Sequence, residues 1–294
     1  YQYAYTSFKI TSAETITISN GATTFDSVTY SSSTYPLLAG AALILDSSTL
    51  SSTSNDTATN WCISGNVFGN GDYGTPGSAN DGCNTIADLS AGDILITEFM
   101  TDPTKVADYR GEWVELYNTT GASYNLKGLG LDSTGNPGHS ITDDVYISAN
   151  GYVVMSVKEP ASFNGGISGV SYAYPYTDLK LNGDDSITIS NDTITLDSVT
   201  YQRFSPHWPG TTEAGKSTSL TPSLYNQISN DSEGSWCVGS TLYGDGDFGT
   251  PGTANDTCPN ADGDGDGFNA DVDCDDTDAA ITINTYFQDN DSDT

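Results

Sequence analysis

Counting Asp262 as position one, Asp264 and Asp266 fall at three and five, and Gly267 at six. The Phe268 carbonyl then falls at seven and Asp273 at twelve. Alternate carboxylates at this spacing converge on one ion, and the glycine permits the sharp turn between them. That is the chemistry of a calcium-binding loop. Asp275, Asp276 and Asp278 complete this site or begin a neighbouring one, while Asp289, Asp291 and Asp293 restart the pattern further on. Calcium is the expected ion, because magnesium rarely occupies an all-protein oxygen cage. The competing reading is an acidic tail without a site, kept extended by repulsion among the eight Asp of residues 262–278.

Other chemistry is thin. The only histidines are His139 and His207, and GxSxG, P-loop and HExxH patterns are absent. Glu98, Glu112 and Glu115 lie on strand-like runs and could be imagined as a carboxylate pair. Asn70 with Asp72, and Asp245 with Asp247, could hold a cation, but such residues more often cap turns. Six Asn-x-Ser/Thr sequons permit glycosylation without indicating it, in a chain rich in all three residues. No enzyme is expected. With 39 acidic residues against 8 basic ones, the net charge is −31, which disfavours nucleic acid and acidic membrane surfaces as partners. The longest apolar run, residues 37–45, is far too short to insert across a membrane.

Cys62 and Cys83 stand 21 residues apart, as do Cys237 and Cys258, and a Trp precedes the first cysteine of each pair. Equal spacing in a repeated stretch points to one disulfide per copy, hence to an oxidising, extracytoplasmic setting. Zinc lacks ligands here, since no CxxC occurs. Cys274 is left over.

The elements that position these residues are duplicated. GNGDYGTPGSANDGC at 69–83 returns as GDGDFGTPGTANDTC at 244–258, and TITISNGATTFDSVTY at 15–30 as SITISNDTITLDSVTY at 186–201. Residues 1–83 therefore match the second half of a unit ending at Cys258, whose first half has no upstream counterpart. The missing opening strands either precede Tyr1 in a longer protein or come from another chain. Without them, Ile16, Ile18, Phe25, Val28 and Tyr30 are expected to be uncovered. Period-two alternation in SITISN, and many short apolar runs separated by Gly, Asn, Asp or Pro, predict antiparallel strands. A phase slip in both copies predicts β-bulges at Asp26-Ser27 and Asp197-Ser198.

GDILITEFMTDP, GEWVELYN, LKGLGL, GYVVMSV, LDSVTY, HWPG and GTPGTAN, in that order, resemble a secreted bacterial or archaeal lamin-tail domain over 92–258. Residues 1–83 resemble its second half. The resemblance makes Glu98, Glu112 and Glu115 sheet-face residues rather than an acid–base pair. The resemblance implies all-β, immunoglobulin-like β-sandwich domains in tandem, serving as non-catalytic modules of surface and secreted proteins. The expected boundaries are a half domain at 1–84, a linker at 85–91, a complete domain at 92–258 and an Asp-rich segment at 259–294. That segment departs from a calcium-sensing EF-hand, with Asp at position twelve and no flanking helix. It resembles thrombospondin type-3-like repeats. The expected role is a calcium-stabilised structural or adhesive protein, extracellular or at the cell surface, such as a repeating unit of a surface or matrix fibre. Its partners would be copies of itself or neighbouring surface-protein domains. The rival is an accessory docking region of a larger secreted enzyme of nuclease or phosphatase type.

Overall fold

A computed structural model describes residues 8–202, 213–258 and 280. The Asp262–Asp278 run, Asp289, Asp291, Asp293, Cys274 and His207 lie outside the described residues. In chain order the strands are β1 (Ala13–Ser19), β2 (Thr24–Ser31), β3 (Leu43–Leu45), β4 (Trp61–Ile63), β5 (Val67–Phe68) and β6 (Asp72–Tyr73). There follow β7 (Ile94–Met100), β8 (Trp113–Asn118), β9 (Tyr124–Asn125), β10 (Gly130–Ser133), β11 (His139–Ser140), β12 (Tyr146–Ile147) and β13 (Tyr152–Ser156). The last are β14 (Val170–Ala173), β15 (Asp184–Ser190), β16 (Thr195–Gln202), β17 (Thr218–Leu220), β18 (Trp236–Val238), β19 (Leu242–Tyr243) and β20 (Asp247–Phe248). One α-helical turn, Asp108–Gly111, is the α-helix among the described residues. The fold is all-β and immunoglobulin-like.

Two compact units form. The first runs to Thr85 and includes Gly121–Asn125 and Tyr146–Ala149; the second holds Ile86–Thr120, Leu126–Val145 and the chain from Asn150 onward.

In the second unit one sheet has the order β11-β10-β15-β16 and the other β14-β13-β8-β7-β17-β18. Pairing is antiparallel except between β13 and β14. All seven residues of β7 are buried. Its sequence ILITEFM does not alternate, because β7 is paired on both edges and packed on both faces. Phe99 stacks on Tyr201 and Trp236, with ring centroids 4.6 and 5.5 Å away. Ile187, Ile189, Leu196 and Val199 of β15 and β16 are fully buried. Each such side chain contributes roughly 1.5–3 kcal/mol relative to exposure.

The hairpins β1–β2 and β15–β16 share one register, displaced by 171 residues. Both slip at the same place: Ile18 faces Asp26 and Ser19 faces Thr24, while Ile189 faces Asp197 and Ser190 faces Thr195. The unpaired residues are therefore Phe25 and Leu196, one position before the expected bulge. The slip lets Leu196 and Asp197 both turn inward, and both are buried.

Among the described residues the first unit has only two-stranded sheets, β1–β2, β3–β4, β5–β6 and β9–β12. Its core is small. Tyr30 is buried, against expectation, because Tyr35 packs edge-on over it at 6.3 Å and reaches Trp61 at 6.1 Å.

Candidate interaction surface and its anchoring carboxylates

The repeated Gly-Thr-Pro-Gly stretch is a turn whose last glycine needs positive φ, +83° at Gly77 and +86° at Gly252. In the second unit this turn is tied to the core by two carboxylates facing each other across β7 and β8, Glu98 and Glu115. The Thr250 amide donates to both Glu98 oxygens at 3.0 and 3.1 Å, and its hydroxyl donates at 2.8 Å. Ser219 Oγ donates to Glu98 at 2.6 Å, and Ser217 Oγ donates as well. Glu115 receives the Thr97 hydroxyl and the Gly252 amide, each at 2.8 Å. Asn255 Nδ2 bridges the Thr97 and Leu220 carbonyls at 2.6 and 2.9 Å. The turn is thus a clamp tied across three strands.

Glu98 and Glu115 stand on β7 and β8 and Glu112 directly precedes β8, and none of the three is exposed by more than 2%. Burial pushes the carboxyls of Glu98 and Glu115 up, and the other carboxylate adds to the rise at Glu115. Burial also lifts Glu112, which accepts the Leu181 amide at 2.9 Å, to about 8. Asp197 rises to about 7 for the same reason, while receiving the Ile96 amide at 2.7 Å and Asn230 Nδ2 at 2.6 Å. The signal available in sequence was an acid inside an otherwise apolar strand, ILITEFM, with no room for it on an exposed face.

Paired carboxyls can serve acid–base chemistry, but Glu98 and Glu115 are enclosed and spent on backbone and hydroxyl donors. His139 is likewise engaged, with Nδ1 3.1 Å from Asp178 and Nε2 2.8 Å from the Tyr172 hydroxyl. Asp247 is buried and receives the Thr104 and Lys105 amides, capping a loop as turn acids do. Its counterpart Asp72 is exposed, as are Asn70 and Asp245. Among the described residues no group of three or more His, Cys, Asp or Glu is placed to hold a metal ion. Of the sequon asparagines, Asn55, Asn118, Asn230 and Asn255 are buried side chains closed to a glycan.

The cysteine sulfurs stand in bonded pairs, Cys62 with Cys83 at 2.09 Å and Cys237 with Cys258 at 2.07 Å. The first cysteine of each pair lies on the strand that carries its tryptophan, whose indole nitrogen donates at 2.9 Å to Asn55 O or Asn230 O.

The first unit repeats this scaffold without its lid. Asn80 Nδ2 donates to Leu45 O at 2.9 Å, as Asn255 does to Leu220 O, and Asn55 donates to Asp26 at 2.7 Å. No strand among the described residues occupies the place of β7: β3 pairs with β4 on one edge and with nothing on the other. Ile18 is 60% and Phe25 61% exposed, and Phe8, Ile10 and Leu38 are exposed too. Ile16 and Val28 of the same hairpin are half-buried.

Comparison with curated proteins returns no match. Residues 88–203, which carry β7 through β16 and hence most of the two facing sheets, match the family model of the Lamin Tail Domain, an immunoglobulin-like and non-catalytic fold family.

Proposed function

We propose that this chain is a non-catalytic structural and interaction protein of an oxidising, extracellular setting, stabilised by calcium through its Asp-rich segment. One observation carries the reading. The acids that could do chemistry in the described residues are buried as anchors for a turn, while the apolar surface of the first unit is left open. Two bonded cysteine pairs favour an oxidising compartment. No helix among the described residues is long and apolar enough to cross a membrane. Calcium rests on the spacing of Asp262, Asp264, Asp266, the Phe268 carbonyl and Asp273.

Limited proteolysis with and without chelator tests the calcium reading. Chelation should expose residues 259–294 to cleavage while the disulfide-closed second unit stays intact. Equal resistance of that segment in both conditions would overturn it.

A further inference from the structure

Two buried oxygens of the second unit have no hydrogen-bond partner, Asp197 Oδ1 and Asn230 Oδ1, and they belong to side chains that touch each other. Asp197 stands on β16, and Asn230 on the 3-10 turn Ser229–Asp231. Neither residue is exposed by more than 1%. The other Asp197 oxygen receives Asn230 Nδ2 at 2.6 Å and the Ile96 amide of β7 at 2.7 Å. The pair therefore joins the turn to both sheets of the unit. The main-chain oxygen of Asn230 accepts the Trp236 indole at 2.9 Å, and its amide donates to Asn226 O at 3.1 Å. Asn230 is thus a point at which the loop between β17 and β18 is fixed.

An ionised carboxylate only accepts, so with Asp197 charged each of the two side chains buries an acceptor that has no donor. Leaving such groups unmatched in a closed interior is costly. One proton removes both deficits. Placed on Asp197 Oδ1, it makes that oxygen a donor to Asn230 Oδ1 and closes a ring of two hydrogen bonds between a carboxylic acid and a carboxamide. The surroundings favour the neutral acid. β7, β15 and the turn Ser229–Asp231 pack against β16, and none of these four elements carries a lysine, arginine or histidine. Their titratable groups are Glu98 on β7, Asp184 and Asp185 on β15, Tyr201 on β16 itself and Asp231 on the turn. Burial is the main cause that lifts the Asp197 carboxyl to about 7, and the Asp231 carboxylate adds to it. In the first unit the pair recurs, with Asn55 Nδ2 donating to Asp26 at 2.7 Å and Asn55 Oδ1 without a partner. Asp26 is only half-buried, so solvent reaches that pair.

We propose that Asp197 and Asn230 form a proton-closed latch, an acid–amide ring that holds the loop 221–235 against β16 and β7 and opens when its proton is lost to solvent. On opening, the O–H bond of Asp197 breaks, the proton passes to water, and the carboxylate that remains faces the Asn230 amide oxygen with no donor between them. The loop leads into Trp236 and Cys237. Its release loosens the anchor of the Trp236 indole, while the Cys237–Cys258 bond keeps the following strand in place. The sign follows from a carboxyl held above its ordinary value: the latch is closed in mildly acidic surroundings and weakens as pH rises through about 7. One loop of the second unit is thereby made sensitive to pH.

Hydrogen exchange at the Asn230 amide, followed by nuclear magnetic resonance on the intact chain, tests the latch against Asp197→Asn, whose carboxamide supplies the same donor at every pH. The Asn230 exchange rate of the native chain, divided by that of the variant, should rise about tenfold between about pH 6 and 8. Protection at Asn230 should stay at least about tenfold below that at Val154 in β13, as opening of the loop alone requires. A ratio that does not change with pH, or equal protection of Asn230 and Val154, would overturn the proposal. So would a ratio that shifts with added sodium or calcium at fixed pH and ionic strength, because an ion rather than a proton would then lie between the two oxygens. The native chain also gives a readout that needs no variant. The Asn230 side-chain amide signals should move with a midpoint near pH 7, and signals unchanged from about pH 5 to 9 would rule the latch out even if Asp197→Asn did not fold.

Discussion

The hairpins β1–β2 and β15–β16 have nearly the same sequence, one register and one bulge, but opposite surroundings. Ile189 and Leu196 are completely buried, whereas their counterparts Ile18 and Phe25 are mostly exposed. Local pairing is therefore independent of burial. Hydroxyl pairs such as Thr17 with Ser27, and Thr188 with Ser198, form across both hairpins at 3.0 and 2.8 Å. What differs is the presence of β7 and β8 over one hairpin and not the other. The same motif is a wall of a core in one place and a surface in the other.

The largest expected difference is in packing. Leu196→Ala should destabilise the second unit by about 2–5 kcal/mol, the usual cost of emptying a core leucine site. Phe25→Ala, at the same position of the first hairpin, should change stability by less than about 0.5 kcal/mol. Urea unfolding monitored unit by unit checks both. Equal costs would mean that the first face is covered in solution.

The disulfides sharpen the comparison because they close loops of equal length, with a separation of 21 residues in each. Opening either should cost about 3 kcal/mol in the chain-entropy model. The same loss falls on unequal cores. Reduction should make residues 8–85 protease-sensitive well before the second unit yields. Simultaneous cleavage of both units on reduction would contradict this.

The clamped turn gives a smaller contrast. Thr250→Val removes an amide-side hydroxyl donor from a buried carboxylate and should cost about 1–3 kcal/mol. Thr75→Val, whose hydroxyl has Asn80 as its partner at a long 3.4 Å, should cost a few tenths. Thermal denaturation of the two single variants would show the ratio, and a reversed ranking would break the assignment of Glu98 as the anchor.

The smallest effect is a slope with pH, and its sign differs between the units. Glu112, at about 8, and Asp197, at about 7, hold protons in the folded second unit that the unfolded chain has already released. Their contribution is full below about pH 4 and is lost as pH rises through 7 to 8, by at most about 1.4 kcal/mol per pH unit per group. In the first unit Asp46 is held below its ordinary value by bonds from the Ser48 hydroxyl and the Cys83 and Ser48 amides. That contribution is present above pH 4 and lost on acidification. Urea midpoints from pH 4 to 8 should therefore fall with rising pH for the second unit and not for the first.

Much of this was legible in the residues. Repetition, alternation and turn signals expose the all-β architecture, and the duplicated spacing of Cys62, Cys83, Cys237 and Cys258 marks the pairs that stand bonded. Other features were hidden. The bulge lies at Phe25 and Leu196, exposed in one copy and buried in the other, and periodicity shows only that a slip exists. The burial of Glu98 and Glu115 was hidden because their donors, Ser217, Ser219, Thr250 and Gly252, are more than a hundred residues away in the chain.

By itself the sequence determined what neighbouring residues decide: strands, turns, pairing register and the repeated hairpin. Those depend on backbone geometry and on contacts a few residues apart, and both copies obey them alike. Only the tertiary structure decided which copy becomes core and which acids are buried. Burial is a property of what lies across from a residue, and identical stretches with different neighbours across from them carry no mark of it.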